Sequence, residues 1–213
     1  QDDPDHRLET MVEAARRAGW RTGLVATSRI THATPAAFAS HQHNRRSYEA
    51  IAAQMASAQV DVMLGAGSRY FTQREDGQDL LAQMKERGWV VAPDAESVRG
   101  AATGQAARLV GLLHDKDMPP IQEGGRAMSL SEMTGAALQV LDREQPEGFF
   151  LMVEGSQIDW EEHAMDGPGA VAETLDFDEA VGVAREYAAS REDTLVIVTA
   201  DHETGGLSVL DPP

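Results

Sequence analysis

Short, almost purely apolar runs set between longer amphipathic stretches constrain this chain most. The runs are Thr22-Gly-Leu-Val-Ala-Thr27, Val60-Asp-Val-Met-Leu64, Trp89-Val-Val-Ala92, Phe149-Phe-Leu-Met-Val153 and Thr194-Leu-Val-Ile-Val-Thr199, the last being the most strand-like. Segments this uniformly apolar do not alternate between core and solvent, so they fit strands buried on both faces. The segment 107–113 also reads as a strand, because Gly111 disfavours a helix there. Apolar positions recur at helical spacing over 8–17, 47–58, 78–87, 129–143 and 170–190. A short helix begins near Pro35, with Thr34 as its N-cap, and Ser129 with Glu132 has capping-box spacing. Residues 114–126 read as a loop broken by Pro119-Pro120 and Gly124-Gly125. The alternation predicts one α/β domain over 1–213, a three-layer sandwich around a mainly parallel central sheet.

Charge removes several function classes. The chain has 213 residues, 35 Asp+Glu against 18 Lys+Arg, and a net charge of −17. That sign opposes nucleic acid and anionic lipid as partners. No stretch reaches the ~18 apolar residues of a membrane span. The absence of cysteine excludes disulfides, a thiolate nucleophile and Cys-ligated metal. Lys85 and Lys116 are the only lysines, and an acidic, arginine-rich surface fits either adaptation to salt or GC-rich coding. The start, Gln1-Asp2-Asp3-Pro4, has neither the basic nor the apolar region of a signal peptide.

In parallel sheets, ligands gather beyond the carboxyl ends of the strands. Three such ends here carry polar clusters. His32 and Thr34 follow the first run, Glu154, Asp159 and His163 follow the fourth, and Asp201-His202 follows the last. Asp159 and His163, four apart, share a helix face if Asp159 opens a helical turn, and a carboxylate with an imidazole suits Zn²⁺. Glu154 at a strand tip suits a harder ion such as Mg²⁺, and the Thr34 hydroxyl is a matching oxygen donor. His32 can orient a metal-bound water. Arg45, followed by Arg46, offers bidentate contacts to an anion. Plainer roles exist for each: an acidic surface helix with Glu161 and Glu162, a solvated strand-end turn, an N-cap, a loop histidine, a surface arginine pair. His6, His41, His43 and His114 have no comparable partners in sequence and read as structural or exposed.

Together these segments resemble the alkaline phosphatase family. The matching stretches are Ile30-Thr-His-Ala-Thr-Pro-Ala-Ala37 with Arg45, Glu154-Gly-Ser-Gln-Ile-Asp-Trp160 with His163, and Thr199-Ala-Asp-His-Glu-Thr-Gly-Gly206. The second is typical of a bacterial branch. The resemblance implies hydrolysis of phosphate monoesters through a phosphoseryl intermediate, with two Zn²⁺ and one Mg²⁺. Thr34 and Glu154 would hold Mg²⁺, with His32 just outside its shell. Asp159 and His163 would hold one Zn²⁺, Asp201 and His202 the other, and Arg45 the phosphate. It further implies a homodimer in the periplasm or outside the cell. The family's Asp-Ser nucleophile dipeptide and a downstream zinc-binding His have no counterpart in these residues, and Ser28 is no substitute. Two readings stay open: the core of a phosphatase, inactive by itself, or a non-catalytic piece that binds metal or phosphate.

Overall fold

A computed structural model describes residues 8–143, 147–206 and 208. His6 lies outside them. The elements run α1 Met11–Arg17, β1 Arg21–Arg29, α2 Ala33–Ala39, α3 Tyr48–Ser57, β2 Val62–Ala66, α4 Arg69–Thr72, α5 Leu80–Glu86, β3 Val90–Val91, α6 Ala95–Thr103, β4 Leu109–Leu112, α7 Leu130–Leu141, β5 Phe149–Glu154, α8 Gln157–His163 and α9 Gly167–Ala189. The strands form one sheet in the order β3-β4-β2-β1-β5, and every pairing is parallel.

The sheet is covered on both sides, as its uniformly apolar strands require. Leu24 and Ala26 of β1, with Met63 of β2, pack on Val12, Ile51, Met55 and Met84 from α1, α3 and α5. Their chain neighbours Val25, Val62 and Leu64 point the other way, onto Val98, Met133, Ala137 and Ala180 from α6, α7 and α9. Successive strand residues face opposite sides, so each apolar run feeds two cores at once. Gly111 in β4 serves this packing: a Cβ there would lie 2.8 Å from Val98 Cγ2 and 2.9 Å from Leu64 Cδ2.

Local capping fixes several helix starts. Ser129 accepts from the Glu132 amide while Glu132 reaches back to the Ser129 amide, the box expected from the sequence. Thr10 and Glu13 form a second box. Asp94 caps α6, a helix that the periodicity leaves unassigned. Thr34 is not an N-cap. His32 occupies that position and Thr34 lies inside the first turn of α2. The Thr34 hydroxyl is spent on Glu154 instead.

The run 194–199 is the clear departure from expectation. It forms no strand among the described residues, and Leu195, Ile197 and Val198 are 82%, 76% and 54% exposed. β-propensity mostly measures packing against neighbouring strands. Among the described residues β5 pairs with β1 alone, and no ladder reaches 194–199. The segment still travels along the sheet's direction. Arg191 binds Asp142, which follows α7, and Thr204 binds Asp159 beyond the carboxyl end of β5.

A buried ion triad locks the loop 114–126 onto the helical layer. Arg126, Glu173 and Asp176 have side chains 3%, 2% and 1% exposed. Arg126 donates to Glu173 at 2.5 Å and to Asp176 at 2.8 Å, and its Nε reaches the Pro119 carbonyl. The carboxylates also accept from the amides of Ile121 and Leu130. Replacing Arg126 leaves two carboxylates buried without a cation, a loss of about 3–5 kcal/mol. Arg126→Met is therefore expected to lower the urea midpoint sharply; a stability loss under about 1 kcal/mol would contradict the triad's role.

Candidate active site

The site forms where β1, β5 and the segment 201–204 end. From β1, the chain turns at Arg29 and delivers His32 and Thr34 to the start of α2. Asp117 fixes that turn. It accepts from the Arg29 amide at 2.9 Å and from the guanidinium at 2.8 and 2.7 Å, while the same guanidinium donates to the Tyr48 hydroxyl at 3.0 Å.

Glu154 closes β5, in register with Ala26. Its Oε2 accepts from the Ser156 hydroxyl at 2.8 Å, and Thr34 is a second hydroxyl partner. Burial pushes the Glu154 carboxyl above the ordinary range. The two hydroxyls oppose that, and the charges of Asp201 and Asp159 add to it. Asp159 and Asp201 therefore sit close enough to Glu154 to repel it.

Asp159 and His163 lie on α8, with Oδ1 and Nε2 3.5 Å apart, so the helical turn that the spacing required is present. Asp201 and His202 form a second such pair, Oδ2 to Nε2 3.3 Å. Thr204 joins the pairs. Its hydroxyl donates to Asp159 Oδ1 at 2.5 Å and lies 3.3 Å from His202 Nδ1, while its amide donates to Glu162. Thr204 thus ties the Asp159 pair to the Asp201–His202 pair through one hydroxyl. Sequence reasoning passed over Thr204. The signal available was a Thr two residues after a candidate ligand His, ahead of Gly205-Gly206.

His32 sits between Arg45 and Trp160. Its Nε2 is 3.4 Å from Arg45 Nη2, and the Trp160 ring meets it edge-on at 5.4 Å. Its Nδ1 is buried with no hydrogen-bond partner among the described residues. Burial, then the positive charges of Arg29 and Arg45, push its pKa down to about 4. Arg45 itself is exposed and open to an anion.

The plainer roles fare unevenly. α8 is not a simple acidic surface helix. Glu161 is buried against the start of α9, where a Cβ on Gly169 would meet its Oε2 at 2.6 Å, and Glu162 receives the Thr204 amide. His41 is held by Glu13 at 3.1 Å, His114 Nε2 lies 3.4 Å from the Ala127 amide, and His43 is exposed. Among the described residues the ligand types gather as pairs, and no three His, Asp or Glu side chains converge as a finished metal shell. Two cavities of about 210 Å³ lie elsewhere. One sits at the opposite end of the sheet, lined by Arg21, Asp61, Arg108 and Arg143. Arg21 donates there to the carbonyls of Val140, Arg143 and Ala107, and Arg143 to those of Ala101, Ala102 and Ala106. Those arginines close helix C-termini.

The alkaline phosphatase family model matches residues 2–210. This chain belongs to that family. Alkaline phosphatase 3 of Bacillus subtilis is 39% identical over 215 residues, covering 98% of this chain and 45% of the relative. Alkaline phosphatase from the Antarctic bacterium TAB5, solved as a variant with magnesium bound in its M3 site, superposes with a TM-score of 0.84 at 42% identity, covering 92% of this chain and 56% of that one. A cold-active alkaline phosphatase from a Shewanella species gives a TM-score of 0.85 at 37% identity, covering 97% and 50%. The chain thus spans about half the length of the relatives it matches. Its α/β architecture and all-parallel sheet are those of an alkaline phosphatase.

The lowered pKa of His32 has a testable sign. The folded state binds fewer protons than the unfolded state between the ordinary value of 6.5 and about 4. Stability from this group is therefore full above pH 6.5 and falls as pH drops toward 4. An NMR titration is expected to show the His32 imidazole neutral until near pH 4, and Arg45→Ala is expected to raise that midpoint. A midpoint near 6.5 would contradict the geometry.

Proposed function

We propose that this chain serves the metal-dependent hydrolysis of phosphate monoesters and supplies most of the groups that hold metal and phosphate. The observation that supports the reading is the placement, at one end of the sheet, of Glu154 beside Thr34, Asp159 beside His163, Asp201 beside His202, and the exposed Arg45.

The donor chemistry fits the implied ions. Thr34 and Glu154 offer only oxygen, which suits Mg²⁺. Asp159 with His163, and Asp201 with His202, each offer one oxygen and one nitrogen, which suits Zn²⁺. When bound, the ions supply Lewis-acid charge at the oxygens entering and leaving phosphorus. The chain's own residues do the rest. Arg45 clamps two phosphate oxygens and meets the charge that develops on them. His32 stays neutral beside it, so the guanidinium is not repelled from its place. Thr204 keeps the Asp159 and His202 pairs together, and Trp160 closes the side of His32.

The nucleophile is the remaining part. The 213 residues contain no Asp-Ser dipeptide. That observation also supports the second reading, a piece that binds metal and phosphate without turnover. We place the activity in the periplasm or outside the cell, in a homodimer acting on phosphate monoesters and releasing inorganic phosphate. The absence of cysteine is compatible with an oxidising compartment. No helix among the described residues is long and apolar enough to cross a membrane. A surface adapted to salt accounts for the acidic residues outside the site.

p-Nitrophenyl phosphate at alkaline pH with Zn²⁺ and Mg²⁺ is the direct assay. This polypeptide alone is expected to give no turnover but to take up zinc weakly, and Asp159→Ala and His163→Ala are expected to reduce that uptake. Turnover that Arg45→Ala abolishes would show that a nucleophile is present after all. Zinc uptake unchanged in both ligand variants would remove the zinc assignment.

A further inference from the structure

Ser156 and Ser28 are buried polar side chains at the junction of β1 and β5, and the ligand set does not use them. Ser156 is 5% exposed and Ser28 is fully buried. The parallel register pairs Ala26 with Glu154. Two residues further along each chain stand Ser28 and Ser156, and their hydroxyl oxygens are 3.0 Å apart. Ser156 Oγ is also 2.8 Å from Glu154 Oε2. Ser28 turns its own proton toward the Arg29 carbonyl at 3.2 Å, so it meets Ser156 as an acceptor.

Ser156 has one proton and two acceptors within reach. The carboxylate is the nearer and the charged one, and charge-assisted bonds are the stronger. Glu154 sits at a strand tip, held by the Thr34 and Ser156 hydroxyls against the repelling charges of Asp159 and Asp201. The following residue, Gln157, fixes the backbone on which Ser156 rides. Its side chain donates to the carbonyls of Met118 at 2.8 Å and Thr27 at 3.3 Å, and its amide lies 3.3 Å from Thr27 Oγ1. The Ser156 hydroxyl is therefore held in place rather than merely near.

We propose that Ser156 is a positioning residue for Glu154, pinning Oε2 so that the carboxylate is presented to Mg²⁺ in one orientation. This deepens the magnesium part of the proposed function and rests on it. Groups that orient a ligand in this way typically govern metal affinity by about 10–100-fold.

The test is calorimetric titration of this polypeptide with MgCl₂, comparing wild type with Ser156→Ala, Ser28→Ala and Glu154→Gln. Zinc uptake and the thermal midpoint are measured on the same samples. Ser156→Ala is expected to weaken magnesium by about tenfold or more, with zinc uptake unchanged and the midpoint lowered only by the small amount that one lost buried hydrogen bond costs. Ser28→Ala, which removes only the competing acceptor, is expected to bind magnesium like wild type, and Glu154→Gln to abolish binding. If Glu154→Gln loses magnesium while Ser156→Ala titrates like wild type, the positioning role is overturned and the magnesium reading stands. If Ser156→Ala loses zinc in the same proportion, or if Ser28→Ala matches it, the serines are only packing and the proposal is overturned. If wild type binds no magnesium, or Glu154→Gln binds it normally, the magnesium reading itself fails, and the proposal with it.

Discussion

Five strands running in one direction place every carboxyl end on the same edge of the sheet, and the candidate site depends on that geometry. His32 and Thr34 follow β1, and Glu154 ends β5 with α8 directly behind it. The parallel ladder between β1 and β5 brings Ala26 level with Glu154, although 128 residues of chain separate them. An antiparallel pairing of the same two strands would have put Glu154 and Thr34 at opposite ends. The apolar cores on both faces hold this arrangement, because either core alone would leave half of each strand wet.

Electrostatics shapes the rest. Glu154 is held against the charges of Asp159 and Asp201 by packing and by neutral hydroxyl partners: Thr34 and Ser156 at Glu154, and Thr204 at Asp159. A folded chain accepts that cost where a cation will relieve it, which is the physical ground for expecting metal here. The fully buried charges elsewhere are paired instead, as Arg126 is with Glu173 and Asp176. Glu154, Asp159 and Asp201 are a small part of the 35 acidic residues, so the −17 net charge belongs mainly to the surface.

Particular residues show where sequence reading succeeds. Ser129 and Glu132 cap α7 as their spacing required, because a capping box involves only neighbours four residues apart or closer. Asp159 and His163 share a face of α8 for the same local reason. The run 194–199 has every strand preference and forms no strand, because a strand exists only against a partner and none among the described residues reaches it. Thr34 carried a good cap signal and failed as a cap, because a carboxylate from β5 competes for its hydroxyl. α6 escaped the periodicity because its apolar face consists of Val98 and small alanines.

By itself the sequence determined the fold class, the family resemblance and the identity of the ligand-type residues. These follow from residue chemistry and from spacings of a few positions. Only the tertiary structure decided which of them meet. It set Thr204 between Asp159 and His202, pressed His32 against Arg45 and Trp160, turned Glu161 inward, and placed Ser156 beneath Glu154. Each of those contacts joins segments brought together by the register of β1 on β5 or by the packing of α8 and the chain end, or depends on the backbone they fix. Side-chain preferences along the chain carry no record of such distances, so packing alone could set them.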